Sequence, residues 1–79
     1  MSTRKLSNIS IKLFREYLTA IGCKHIRTEG GHEIWTRSDL TRPVVIQTHI
    51  DPIPERIIRN NFRTLGVTRK DFTKTMFDC

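Results

Sequence analysis

The feature that most constrains the fold is Gly30-Gly31, set between two runs that alternate apolar and polar residues. His25-Ile26-Arg27-Thr28 precedes the pair and His32-Glu33-Ile34-Trp35-Thr36-Arg37 follows it. A period of two belongs to strands, and adjacent glycines supply the positive-φ residues that a tight reversal needs, so this stretch predicts a β-hairpin. Upstream the period changes. From Ser10 to Ile21, Ile11, Phe14, Tyr17, Leu18 and Ile21 recur at helical spacing, with Arg15, Glu16 and Thr19 on the other side. Ser10 suits the start of that helix as a cap, and Gly22 the position just past its end.

Downstream, Ser38 to Pro43 reads as a polar turn and Pro43-Val44-Val45-Ile46-Gln47-Thr48 as a β-branched third strand. Asp51-Pro52-Ile53-Pro54-Glu55 predicts a helix start, with Asp51 as cap and Pro52 at the first helical position. Ile53, Ile57, Ile58, Phe62 and Leu65 form its apolar face and Gly66 ends it. Thr68, with Asp71 three residues on, caps a last short helix that buries Phe72 and Met76. The element order is α-β-β-β-α-α. Short connections make the strands an antiparallel meander, giving an α+β fold: a three-stranded sheet with helices on one face and the other face open.

No repeat or linker divides the 79 residues, so residues 1–79 read as one domain with a core over about 10–72. A chain this short buries only about 60% of its unfolded surface. That excludes separate catalytic and regulatory domains and a deep cofactor cavity, and no cofactor is expected. There are 14 Lys and Arg against 8 Asp and Glu, a formal charge of +6, and nine of the cations are Arg. Arginine's planar fork matches phosphate, so nucleic acid is the first candidate partner. The N-terminus lacks an apolar run and nowhere do 18 uninterrupted apolar residues occur, so a cytoplasmic protein without signal peptide or membrane span is expected. Cys23 and Cys79, the latter at the chain end, are too few for a disulfide framework. No Cys/His spacing suits a metal, and none is expected.

On the helix after Asp51, Arg56, Arg59 and Arg63 fall within about 60° of one another, opposite the apolar face. Such a ridge can follow a phosphate backbone or receive an acidic partner, and a solvated helix face has the same pattern. Lys24, Arg27, Arg37 and Arg42 add positive charge around the sheet. Gly30-Gly31-His32 is more specific: a histidine at the lip of a glycine turn is reachable by solvent, and imidazole titrates near neutrality. Beside a polycationic face its natural work is to move protons at a ribose 2′-hydroxyl or a leaving oxygen, without a metal. The scattered carboxylates Glu29, Glu33, Asp39 and Asp51 have no spacing suited to Mg²⁺. His49 reads as a second acid/base group, a phosphate contact or a polar loop residue, and His25 as structural. Trp35 is either a core aromatic or a stacking surface for a base, on the sheet face opposite His32 and Ile34.

Gly30-Gly31-His32-Glu33-Ile34-Trp35, then Pro43-Val44-Val45-Ile46-Gln47-Thr48-His49, then Ile57 to Val67 with its Leu65-Gly66-Val67 ending, resemble the HicA toxin family over about Ser10 to Phe72. That family shows a Gly-Ser-His-x-aliphatic-aromatic strand, a third strand of Val-x-x-Pro-x-His type, and a helix closing in Leu-Gly-aliphatic before a Ser or Thr cap. The resemblance implies a double-stranded-RNA-binding-like fold and a bacterial mRNA interferase that cleaves mRNA, blocks translation and is neutralised by a HicB antitoxin. It implies that His32 is the catalytic position, with Gly30 and Gly31 as its turn. The chain departs from the pattern at Gly31, where Ser is usual, at Glu33, where a second His is frequent, and at Gln47-Thr48-His49. A pairing of His32 with His49 is therefore a hypothesis about this chain. The substrate contacts expected are Gly30, Gly31, Lys24, Arg27, Arg37, Arg56, Arg59 and Arg63. A non-catalytic RNA-binding module, or a protein-interaction domain using the arginine ridge, fits the same fold.

Overall fold

The computed structural model describes residues 9–77; Cys79 lies outside them. The helix expected at Ser10 is α1, Ile11–Ala20. It forms because Ser10, in extended conformation, accepts the Leu13 N–H while Ile11, Phe14, Tyr17 and Leu18 bury one side. Strands β1 (Lys24–Glu29), β2 (His32–Thr36) and β3 (Val44–Gln47) follow, then α2 (Glu55–Leu65) and α3 (Arg69–Met76). The sheet is antiparallel with strand order β1-β2-β3, the meander that short connections dictate.

Alternation decides which face of the sheet carries the core. Glu33 and Trp35 on β2, with Ile46 and Val44 opposite them on β3, are buried. His32, Ile34, Val45 and Gln47 lie on the other face, where all four stay partly exposed among the described residues. β1 behaves differently: all six of its residues are exposed, and Ile26 is 50% exposed at a register shift between His25 and Arg27. The bulge and the flanking charges are what an unpaired sheet edge normally carries.

The helices join beneath β2 and β3 through four aromatic rings. Phe14 and Tyr17 of α1 meet Phe62 of α2 and Phe72 of α3, the Tyr17 and Phe72 rings lying edge-on at 4.7 Å. Fully burying a side chain of this size contributes about 1.5–3 kcal/mol, so this cluster is the main tie between the helices. Burial also pushes the Tyr17 hydroxyl up to about 12, so it stays neutral. Thr68 and Asp71 cap α3 reciprocally, as the spacing predicts.

One expectation fails. Asp51 does not cap α2, and Pro52 is not its first residue; the helix begins at Glu55 with Pro54 at the cap position and no side-chain cap. Pro54 restricts Ile53 to extended backbone, so no helical turn can start before it. The Asp51 carboxylate instead accepts the N–H of Ile11 at 3.1 Å, satisfying a first-turn donor of α1 forty residues away. Ile53 N–H donates to Ile9 O at 2.9 Å beside it. The connection from β3 to α2 is thereby tied to the start of α1. No helix among the described residues is long and apolar enough to cross a membrane.

Candidate functional site

Both turn glycines adopt positive φ, +54 at Gly30 and +82 at Gly31, so the reversal expected between β1 and β2 forms there. β2 begins immediately with His32, half-buried on the open face, with Glu29 of β1 and Gln47 of β3 as its cross-strand partners. At the end of β3 the chain is pulled onto the glycine turn: the Thr48 N–H and hydroxyl both donate to the Gly31 carbonyl, at 2.8 and 2.9 Å. This brings the exposed His49 to His32, with ring centroids 6.3 Å apart and planes nearly perpendicular. A Cβ on Gly31 would stand 3.7 Å from His49 Nδ1, so Gly31 is needed for its backbone conformation and also lies directly against the second imidazole.

The connection carrying His49 is pinned at both ends, by Thr48 on Gly31 and by Asp51 and Ile53 on the start of α1. Sequence reasoning missed Thr48 and misassigned Asp51. Neither role has a local signal, because both partners lie far away in the chain.

Glu33, next to His32, points the opposite way. Its side chain is 10% exposed and receives a two-pronged ion pair from Arg15 of α1 and the indole N–H of Trp35 at 3.1 Å. The Arg15 hydrogen bond holds the Glu33 carboxyl below its usual range against the opposing effect of burial. Glu33 is thus part of the interior and cannot share the space in front of His32. Trp35 is a core residue, 7% exposed, with the ring of exposed His25 at 5.4 Å; His25 also meets the Thr28 hydroxyl at 3.0 Å. Burial pushes the Cys23 thiol up, which disfavours the thiolate that a nucleophile needs.

The cations divide by position and partner. Because the strands are antiparallel, the start of β1 and the end of β2 lie at the end of the sheet away from His32. Lys24, paired with Thr36, and Arg37 are therefore not brought to the imidazoles. Arg37 is engaged with Asp39 and with the carbonyl of Ile21, where it fastens the end of α1. Arg27 shares the open face with His32 but is paired with Glu29. On α2, Arg56, Arg59 and Arg63 are all exposed; Arg59 pairs with Glu55, and neither Arg56 nor Arg63 has an ion pair among the described residues. Also among the described residues, no group of three or more His, Cys, Asp or Glu side chains could hold a metal ion. A comparison with family models, curated proteins and solved structures finds no match to this chain.

Proposed function

We propose that this chain is an endoribonuclease that cuts mRNA by attack of a ribose 2′-hydroxyl, with His32 and His49 sharing the proton transfers. The observation that carries the reading is the pair of imidazoles at the glycine turn, 6.3 Å apart, with His32 half-buried and His49 exposed. Two groups so placed can reach two different oxygens of one phosphodiester, each within the hydrogen-bond distance that proton transfer needs. In the proposed step His32 takes the 2′-hydroxyl proton, the 2′-oxygen attacks the adjacent phosphorus, and the bond to the 5′-oxygen breaks. Protonated His49 gives its proton to that leaving oxygen. The products are a 2′,3′-cyclic phosphate and a 5′-hydroxyl end, and no divalent ion takes part.

The resemblance to HicA toxins supports the same reading and extends it to a toxin restrained by a HicB-like antitoxin, acting in the cytoplasm on a double-stranded-RNA-binding-like scaffold. The antitoxin is expected to cover His32 or to set acidic side chains against Arg56 and Arg63.

End-group analysis of RNA incubated with the protein tests the proposal. Cyclic phosphate ends, formed in the presence of EDTA and absent with a 2′-deoxy substrate, are the expected result. RNA that is bound and released uncut assigns the chain to a binding module, and loss of cleavage with EDTA removes the metal-free route.

A further inference from the structure

The end of β3 away from the histidines opens into a polar cleft of about 540 Å³ between the β2–β3 turn and the second half of α2. Its lining is Thr41, Arg42, Asn60, Asn61, Arg63 and Thr64. There is no carboxylate among these residues, and neither Arg42 nor Arg63 has an ion pair among the described residues. The floor is fixed: Asn61, 7% exposed, donates its side-chain N–H to Val45 O at 3.2 Å, binding α2 to the edge of β3. Two arginines therefore line the cleft together with amides and hydroxyls, and no carboxylate pairs with either among the described residues. A neighbouring cleft shares Arg63 and also holds Arg69 and Arg59, the last paired with Glu55.

We propose that this cleft is a subsite for a backbone phosphodiester of the RNA, remote from the scissile one. The inference rests on the reading of the chain as a ribonuclease and deepens it. Arg42 lies two residues before β3 and His49 two residues after it, so the cleft and the imidazole pair flank the same outer strand. Val45 lies two strand residues, about 7 Å, from Gln47, the partner of His32, and Arg42 is three residues further. A strand entering the cleft thus reaches the histidines within a few nucleotides. Paired guanidinium groups bind phosphate oxygens through charge-assisted hydrogen bonds, and the amides and hydroxyls supply neutral donors for the rest. The negative end of the α2 dipole opposes an anion here, and Arg63, in the last turn of that helix, offsets it.

The test uses a fluorescent single-stranded RNA with 2′-O-methyl riboses, which cannot be cut, titrated with the full chain over a range of salt. For Arg42→Ala/Arg63→Ala, affinity is expected to fall about 10-fold or more. The slope of log affinity against log salt should shrink by about 0.7–1, the share of one phosphate. Circular dichroism should show an unchanged fold, since both side chains are exposed. With cleavable RNA, KM should rise for a substrate of about 16 nucleotides and stay put for a dinucleotide, which is too short to reach the cleft from the histidines. Unchanged affinity and slope in the double variant, or no binding by the unaltered chain, overturns the subsite. So does inorganic phosphate binding more tightly than the oligonucleotide, which would make the cleft a free-anion site. So too does a poly-glutamate peptide that binds through these arginines while RNA does not, which would make it a protein-docking site. Binding that depends on both arginines, without any cleavage, removes the ribonuclease reading and leaves the subsite standing.

Discussion

His32 and Glu33 are neighbours in the chain and opposites in the fold. Strand alternation turns one outward to the rim it shares with His49 and the other inward to Arg15 and Trp35. The outer residue is half-open and meets a second imidazole; the inner one is enclosed, and its charge is consumed within the molecule. The lesson is that polarity does not mark a working residue in a domain this small. What matters is whether the rest of the chain has already satisfied the group.

The contrast is broken most sharply from the outside. His32→Ala should lower RNA cleavage by about 10²–10⁴-fold, the range for removing one proton-transfer group, with no change in melting temperature. His49→Ala should fall in the same range. If cleavage survives both changes intact, the two faces do not differ in the way described.

From the inside the expected pattern reverses. Glu33→Ala strands Arg15, and Arg15→Ala strands a buried carboxylate; the second is the more damaging, at about 3 kcal/mol. In a domain of this size that lowers the melting temperature by more than 10 °C, roughly, by calorimetry. Cleavage measured well below the melting transition should be little altered.

Acid sharpens the same distinction. The Glu33 carboxyl is held below its ordinary value of 4.5 by Arg15, so the unfolded chain takes up this proton first as pH falls. Its stabilisation is fully present above that ordinary value and is lost as pH drops through the lower folded one. Urea midpoints should decline over that window in the unaltered protein, and less so in Glu33→Gln.

The smallest effect concerns the clamp. Thr48→Val keeps the N–H bond to Gly31 and deletes the hydroxyl bond, for about 1 kcal/mol of stability. Its effect on cleavage should be larger in proportion, roughly 10-fold, because displacement of a catalytic group by a fraction of an ångström weakens proton transfer disproportionately. Equal losses in both would mean that Thr48 holds the fold and not the histidine.

What the sequence made legible were the local features. Ser10 and Thr68 cap their helices as the spacing predicts, the glycine pair turns the chain, and the alternation of β2 separates His32 from Trp35. It did not show which face of the sheet the helices cover, because Glu33 reads as a surface residue until Arg15 arrives from α1. Nor did it show the task of Asp51. An aspartate before two prolines and an apolar run has the local form of a helix cap, and the competing N–H of Ile11 lies forty residues away. The proximity of His49 to His32 was a hypothesis for the same reason: it depends on Thr48 closing onto Gly31 across the strand pair. Arg42 and Arg63 line one cleft because α2 packs against β3, an approach that Asn61 fastens through Val45 O.

The carboxylate of Asp51 has one further consequence. It is an anchor held in common, securing the opening turn of the first helix and, through the backbone, the peptide that presents the second imidazole. Fraying at the front of that helix would therefore loosen the second imidazole while the aromatic interior was still intact. On gentle heating, the proposed cleavage is expected to disappear at a lower temperature than ellipticity, and coincident losses would mean that Asp51 serves the fold alone.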